Sequence, residues 1–248
     1  MIHVEEGLYI ADPWPATYLK DYDALVLADL HLGIEGVLAE EGVYLPRRIS
    51  KLTLDLVINA IEDVKPTRII LLGDVKHSFS LLKVSEWVEL KNLFRFLHER
   101  GYKVDVVRGN HDNYLGVLLS KFNIPFHEKK LDLPPFTLIH GHLDYNIDSL
   151  HKYTLMGHEH PSIALKDESG ISHKFKAFLY GEISPKKKLM VLPATCELAS
   201  GSTVNLMSKD EFLSPILKSV NLDNFTPYLI IPGKFVQKFP VISKLYII

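Results

Sequence analysis

Residues 69–77 read Ile-Ile-Leu-Leu-Gly-Asp-Val-Lys-His, four apolar residues that stop abruptly at a glycine and an acid. A continuous apolar run this short reads as a strand buried on both faces rather than as one stripe of a helix. The same construction recurs on either side. Leu25 to Ala28 stops at Asp29-Leu30-His31, and Val104 to Val107 stops just before Gly109-Asn110-His111-Asp112. Phe136 to Ile139 runs into His140-Gly141-His142, and Tyr153 to Met156 into Gly157-His158-Glu159-His160.

Between the first three runs the apolar spacing is helical. Leu52, Leu56, Val57, Ala60, Ile61 and Val64 predict a helix over 50–64 that ends before Pro66, and a stripe from Val84 to Leu97 predicts another over 84–100, capped by Gly101. A shorter helix follows through Tyr114, Val117, Leu118 and Phe122. Strands separated by helices imply parallel βαβ units. Beyond residue 170 strands dominate, at 174–180, 187–193 and 203–206, before a short helix near 209–219 and a strand near 227–236. The expected fold class is α/β, a two-sheet β-sandwich flanked by helices.

The chain has 248 residues, 47% hydrophobic and 23% charged, with a formal net charge of −2. That is ordinary globular composition, which excludes disorder, collagen and coiled coil. The near-neutral balance argues against gripping nucleic acid by bulk positive charge, though not against a local basic groove. The lone Cys196 rules out an intrachain disulfide and fits a reducing compartment. MIHVEEGLYI places two acids where a secretory signal needs a basic segment, and no run is long enough to span a bilayer. The expectation is a cytoplasmic protein with no membrane partner. The G-x-G-x-x-G and G-x-x-x-x-G-K-[ST] patterns are both absent, so nucleotide-cofactor chemistry has no support.

Of the twelve histidines, seven lie in the five strand-end clusters. In open α/β sheets ligands gather beyond the carboxyl ends of strands, so the clusters can converge. Imidazoles and carboxylates together suit a binuclear site for borderline divalent ions such as manganese, iron, cobalt, nickel or zinc, over magnesium or calcium. On an extended chain alternate residues share a face, which pairs Asp29 with His31 and His158 with His160. Taken singly, each residue has a plainer reading. Asp29 and His31 could close a strand end, Asp74 a turn, and Asn110 a helix cap. It is the joint pattern that points to a metal site.

The order D-x-H, G-D-x-x-H, G-N-H-D, H, G-H-x-H across residues 29–160 resembles the calcineurin-like metallophosphoesterase superfamily. Ala28 to Gly33 followed by Gly42-Val43-Tyr44-Leu45-Pro46, with Leu192-Pro193-Ala194 and Ala199-Ser200-Gly201, is similar to its ligase-associated branch and archaeal nuclease-related members. The likeness spans roughly residues 1–206, which implies one domain over 1–248 with that core and an extension, 207–248, packed on it.

The resemblance implies that Asp29, His31, Asp74 and His160 hold one ion, and that Asp74, Asn110, His140 and His158 hold the other, Asp74 bridging. It implies His111 as the catalytic histidine that binds no metal, oriented by Asp112. The chemistry is then phosphoester hydrolysis by a hydroxide shared between two metals, His111 protonating the leaving group. A phosphodiester of a nucleotide or nucleic acid is preferred. Phosphomonoester hydrolysis is the alternative, and a non-catalytic scaffold of the same fold the alternative of another class.

His77 is read as touching substrate or as satisfying a loop carbonyl, and His142 as a donor behind a ligand or a solvated loop residue. Arg47-Arg48 and Lys186 to Lys188 read as solvated charge, with a phosphate-backbone groove as the other possibility. Cys196 reads as a small buried hydrophobe. A homo-oligomer stays open.

Overall fold

Alternation inside the short apolar runs accounts for the layers. Leu25, Leu27, Ile69, Leu71, Val104 and Val106 project to one side of a sheet and pack on helices, while Ala24, Val26, Ile70, Leu72 and Val107 project to the other and pack on a second sheet. The structure is a computed structural model and describes residues 1–45, 49–199 and 201–247. Pro46, Arg47-Arg48 and Ser200 of the sequence reading lie outside the described residues.

The chain begins with β1 (Ile2–Glu5), β2 (Leu8–Ile10), β3 (Ala16–Leu19) and β4 (Ala24–Leu27), then α1 (Ile34–Glu40) and α2 (Ile49–Val64). β5 (Arg68–Leu72), α3 (Val84–Glu99), β6 (Lys103–Val107), α4 (Leu115–Leu119) and β7 (Phe126–His127) follow. The second half holds β8 (Lys130–Leu133), β9 (Phe136–Ile139), β10 (Tyr153–Met156), β11 (Pro161–Lys166), β12 (Ser172–Ser184), β13 (Lys187–Val191) and β14 (Ser202–Thr203). It closes with α5 (Pro215–Ser219), β15 (Thr226–Ile231) and β16 (Phe235–Lys238).

The first sheet has the order β1-β2-β3-β4-β5-β6-β7, antiparallel from β1 to β4 and parallel from β4 to β7. The second runs β14-β11-β12-β13-β10-β9-β8, with β15 on β12 and β16 on β15. Phe136, Leu138, Tyr153, Leu155, Phe178, Met190 and Tyr228 meet the inner face of the first sheet in one core. Phe212, Ile216, Leu217, Val220 and Phe225, from the segment after β14, cover the outer face of the second.

Three differences from the sequence reading have clear causes. The β1–β3 meander was not anticipated: its strands are only three or four residues long, too short for a periodicity to declare itself. The strand near 227–236 is a hairpin, because Gly233 at φ +74 turns the chain between β15 and β16. The helix near 209–219 is split: a 3₁₀ turn at Lys209–Glu211 ends and α5 starts afresh with Pro215 in its first turn. Lys187 and Lys188 are not free charge. Lys187 Nζ donates to the Asp148 carbonyl at 2.8 Å, and Lys188 pairs with Glu5. No described helix is long and apolar enough to cross a membrane.

Candidate metal centre

The register of the parallel strands brings the polar clusters level. Leu27 stands opposite Leu71, and Leu72 opposite Val107, so the chain leaves β4, β5 and β6 side by side. In the second sheet Ile139 stands opposite Met156, so β9 and β10 end together. Backbone bonds tie the exits: Asp29 N to Gly73 O at 3.1 Å, His31 N to Asp74 O at 2.9 Å, and Gly157 N to His140 O at 3.0 Å. His158 N donates to Asp29 Oδ2 at 3.0 Å, and Cys196 N to Asp29 O at 3.0 Å, which joins the two sheets at the site. Cys196 itself is buried and free.

The residues of these exits do not continue as strand. Asp29, His31, Asp74, His158 and His160 all have left-handed backbone, with φ of 55°, 44°, 49°, 68° and 48°. Such conformations are rare for side-chain-bearing residues and persist where the surroundings over-determine them. The backbone is therefore not extended as the alternation argument assumes: Asp29 and His31 still fall in one group, but His158 and His160 do not. His158 and His160 face different neighbours, one toward Asp74 and His140 and the other toward Asp29 and His31. Glu159 between them points away, accepting from Ser202 Oγ at 2.6 Å and from Leu213 and Ser214 N–H at 2.9 Å each. Two glycines make the close approach possible. A Cβ on Gly73, itself at φ +79, would collide with the His140 ring, and one on Gly109 with the Asp74 carboxylate.

Three groups of three candidate ligand atoms form among the described residues: two hold an aspartate, Asp29-His31-His160 and Asp74-His140-His158, and the third, His31-His77-His111, is all histidine. In the first, His160 Nε2 lies 3.4 Å from both His31 Nε2 and Asp29 Oδ1. Asp29 Oδ1 is buried and accepts no hydrogen bond. In the second, His140 Nδ1 donates to the Leu72 carbonyl at 3.0 Å, which leaves Nε2 facing Asn110 Oδ1 at 3.0 Å and Asp74 Oδ2 at 3.3 Å. Asp74 Oδ2 also lies 3.9 Å from His31 Nε2, so one carboxylate oxygen addresses both groups. An orphaned carboxylate oxygen and converging imidazole nitrogens are a donor set that fits divalent cations.

The electrostatics agree. Burial holds His31 down to about 3 and His158 to about 4, helped in both cases by histidine neighbours, so both rings are neutral as ligation requires. His140 is the exception: against its burial, the Asp74 and Asp29 carboxylates raise it to about 9. Asp74 itself is held far below the usual carboxylate range, against its burial, by His140, His31 and His111.

His111 stands beside these groups. Its Nδ1 bonds the His77 carbonyl, so that nitrogen carries the hydrogen and Nε2 faces inward, 3.8 Å from Asp74 Oδ2. Asp112 does not orient the ring. Its two oxygens accept from the N–H groups of Val75 and Gly109 at 2.9 Å each, and from Lys76 N–H at 3.3 Å. It pins the β5 and β6 exits together, and burial beside Asp74 pushes it up to about 6. His77 serves twice: its carbonyl holds His111, and its ring lies along the His111 ring at 5.6 Å, with Nδ1 3.4 Å from His31 Nδ1. The His142 ring sits 5.2 Å from that of His140, and its Nδ1 is buried without a partner.

The sequence reading passed over what holds the His77 loop. Lys76 and Glu86 are fully buried. The Lys76 ammonium caps the Ser78 and Ser80 carbonyls. Glu86 accepts from His77 and Ser78 N–H at 3.1 and 2.6 Å, Ser78 Oγ at 2.6 Å and Lys83 N–H at 2.9 Å. Its place on the apolar side of α3 was the available signal. Glu86→Ala is expected to cost about 3 kcal/mol or more, since it strands buried donors and Lys76. That is a fall in Tm of roughly 10 °C for a chain of this size, read by thermal denaturation.

Given this centre on this fold, the comparison with protein families is direct. The chain belongs to the calcineurin-like phosphoesterase family, whose model matches residues 23–191. Members bind divalent metals and hydrolyse phosphoesters. Among solved structures it is similar to the Pseudomonas putida nuclease MPE, with 21% identity, a TM-score of 0.65, and 94% of each chain covered. A weaker likeness, to the phosphoesterase YfcE of E. coli, has 14% identity and a TM-score of 0.44, covering 88% of this chain and 98% of that one. No curated protein matches.

Proposed function

We propose that the chain hydrolyses phosphodiesters of the nucleotide or nucleic-acid class with two divalent ions, manganese foremost. Asp29, His31 and His160 would hold one ion, Asn110, His140 and His158 the other, and Asp74 both. When bound, such ions supply Lewis acidity and a water of lowered pKa. The carrying observation is the single Asp74 oxygen that addresses both ligand groups, 3.9 Å from His31 Nε2 and 3.3 Å from His140 Nε2, with His111 Nε2 3.8 Å from the same atom.

His111 is the general acid. With Nδ1 committed to the His77 carbonyl, its Nε2 is the atom that gives a proton to the leaving oxygen. The fold neighbour described as a nuclease, an enzyme class acting on phosphodiesters, agrees with this reading.

The test is hydrolysis of bis-p-nitrophenyl phosphate beside p-nitrophenyl phosphate, after chelator stripping and return of Mn²⁺. Metal-dependent cleavage of the diester in excess of the monoester is expected. Cleavage of the monoester alone would replace this reading with a phosphatase. Silence toward both, with metal bound, would favour the scaffold.

A further inference from the structure

Beside His111 lies a surface cleft lined by Phe79, Ser80, Leu81, Arg108, Asn113 and Tyr114. Three of its apolar side chains are strongly exposed, Phe79 at 60%, Leu81 at 66% and Tyr114 at 58%. Scattered exposed apolar residues need no explanation, but several lining one cleft do. The Phe79 ring lies against His111, with ring centres 3.7 Å apart and planes at 31°. Tyr114 is held at φ +65, an outlier for a bulky aromatic residue, at the very start of α4.

The cleft is braced from beneath. Asn113 Nδ2 donates to the Phe79 carbonyl at 3.0 Å, and the Arg108 guanidinium donates to Asn113 Oδ1 at 2.7 Å and Glu128 at 2.6 Å. These bonds bind the loop after β5 to the loop after β6, so the aromatic groups are presented by a fixed frame. Exposed aromatic rings on such a frame suit a flat, weakly polar group such as the base of single-stranded nucleic acid.

We infer that this cleft takes the base of the nucleoside that leaves during phosphodiester cleavage. The inference rests on the phosphodiester reading above. The oxygen that His111 protonates stays attached to the departing nucleoside, so that nucleoside lies on the His111 side of the site, where the cleft opens. Base stacking on Phe79 and Tyr114 then selects a nucleoside leaving group over an aliphatic alcohol.

The test uses the Mn²⁺-loaded protein and the deoxydinucleotide dApdA, with two analogues in which one base or the other is replaced by hydrogen. Deletion of the base on the nucleoside released without phosphate, identified from the products, is expected to lower kcat/KM roughly tenfold, mostly through KM, and a loss confined to the other base would overturn the assignment. In Tyr114→Asn, which keeps a residue tolerant of positive φ, and in Phe79→Leu, that penalty should shrink to less than about twofold. Measuring both variants separates base recognition from any disturbance of His111, whose ring packs on Phe79. A penalty of the same size in wild type and both variants would overturn the subsite while leaving the phosphodiesterase standing. So would cleavage of bis-p-nitrophenyl phosphate with no cleavage of any dinucleotide. Failure of both substrate types would overturn the two readings together.

Discussion

Asp74→Asn is expected to empty both metal positions and to lower turnover by about a thousandfold. One oxygen of this carboxylate faces His31 in one ligand group and His140 in the other, so the substitution removes a charge from both at once. A unit charge about 4 Å from another, at an effective dielectric of ~20, contributes about 4 kcal/mol, or three decades in affinity. The amide still offers an oxygen to His111 N–H, which Asp74 Oδ1 accepts at 2.9 Å, so the loop has no reason to collapse. Elemental analysis of Mn²⁺-equilibrated protein checks this, with circular dichroism as the control for folding. Two ions per chain in the variant would contradict the bridging role.

The second large effect is expected from His111→Gln. The metals should stay, because both aspartate-containing groups keep all their donors in the variant, and His111 belongs only to the all-histidine group with His31 and His77. Turnover should fall by about 10²–10⁴ for a nucleoside alkoxide, the range general acid catalysis contributes. p-Nitrophenolate leaves with little protonation, so bis-p-nitrophenyl phosphate should lose far less. Equal losses on both substrates would remove His111 from the role of acid, and loss of metal would make it a ligand instead.

These two residues show how unevenly the site is legible. Asp74 is plain in the sequence, because a buried apolar run that ends in Gly-Asp leaves the acid at a strand exit. His111 is equally plain as a position, yet its partner is not. The neighbouring Asp112 looked like the group to orient it, but adjacent side chains diverge, and Asp112 turns back to the N–H groups of Val75, Lys76 and Gly109. The ring is held by the carbonyl of His77, thirty-four residues away. Phe79 and Tyr114 gave no signal either, because single aromatic residues in loops are ordinary and only their shared cleft gives them a role.

What the sequence determined by itself is the local record: the strand runs buried on two faces, the two long helices α2 and α3, and the polar residues that stand at strand ends. Apolar periodicity and the D-x-H to G-H-x-H order carry all of that. The motif resemblance implied a partition of the ligands between two ions, and the tertiary structure decided the backbone that allows it. Alternation along an extended chain would have kept His158 and His160 together, whereas left-handed backbone at φ 68° and 48° sends them to different neighbours. That backbone is imposed from outside its own segment, by bonds such as His158 N to Asp29 Oδ2 at 3.0 Å, across the gap between two sheets. A conformation stabilised by contacts 129 residues apart leaves no trace in local spacing.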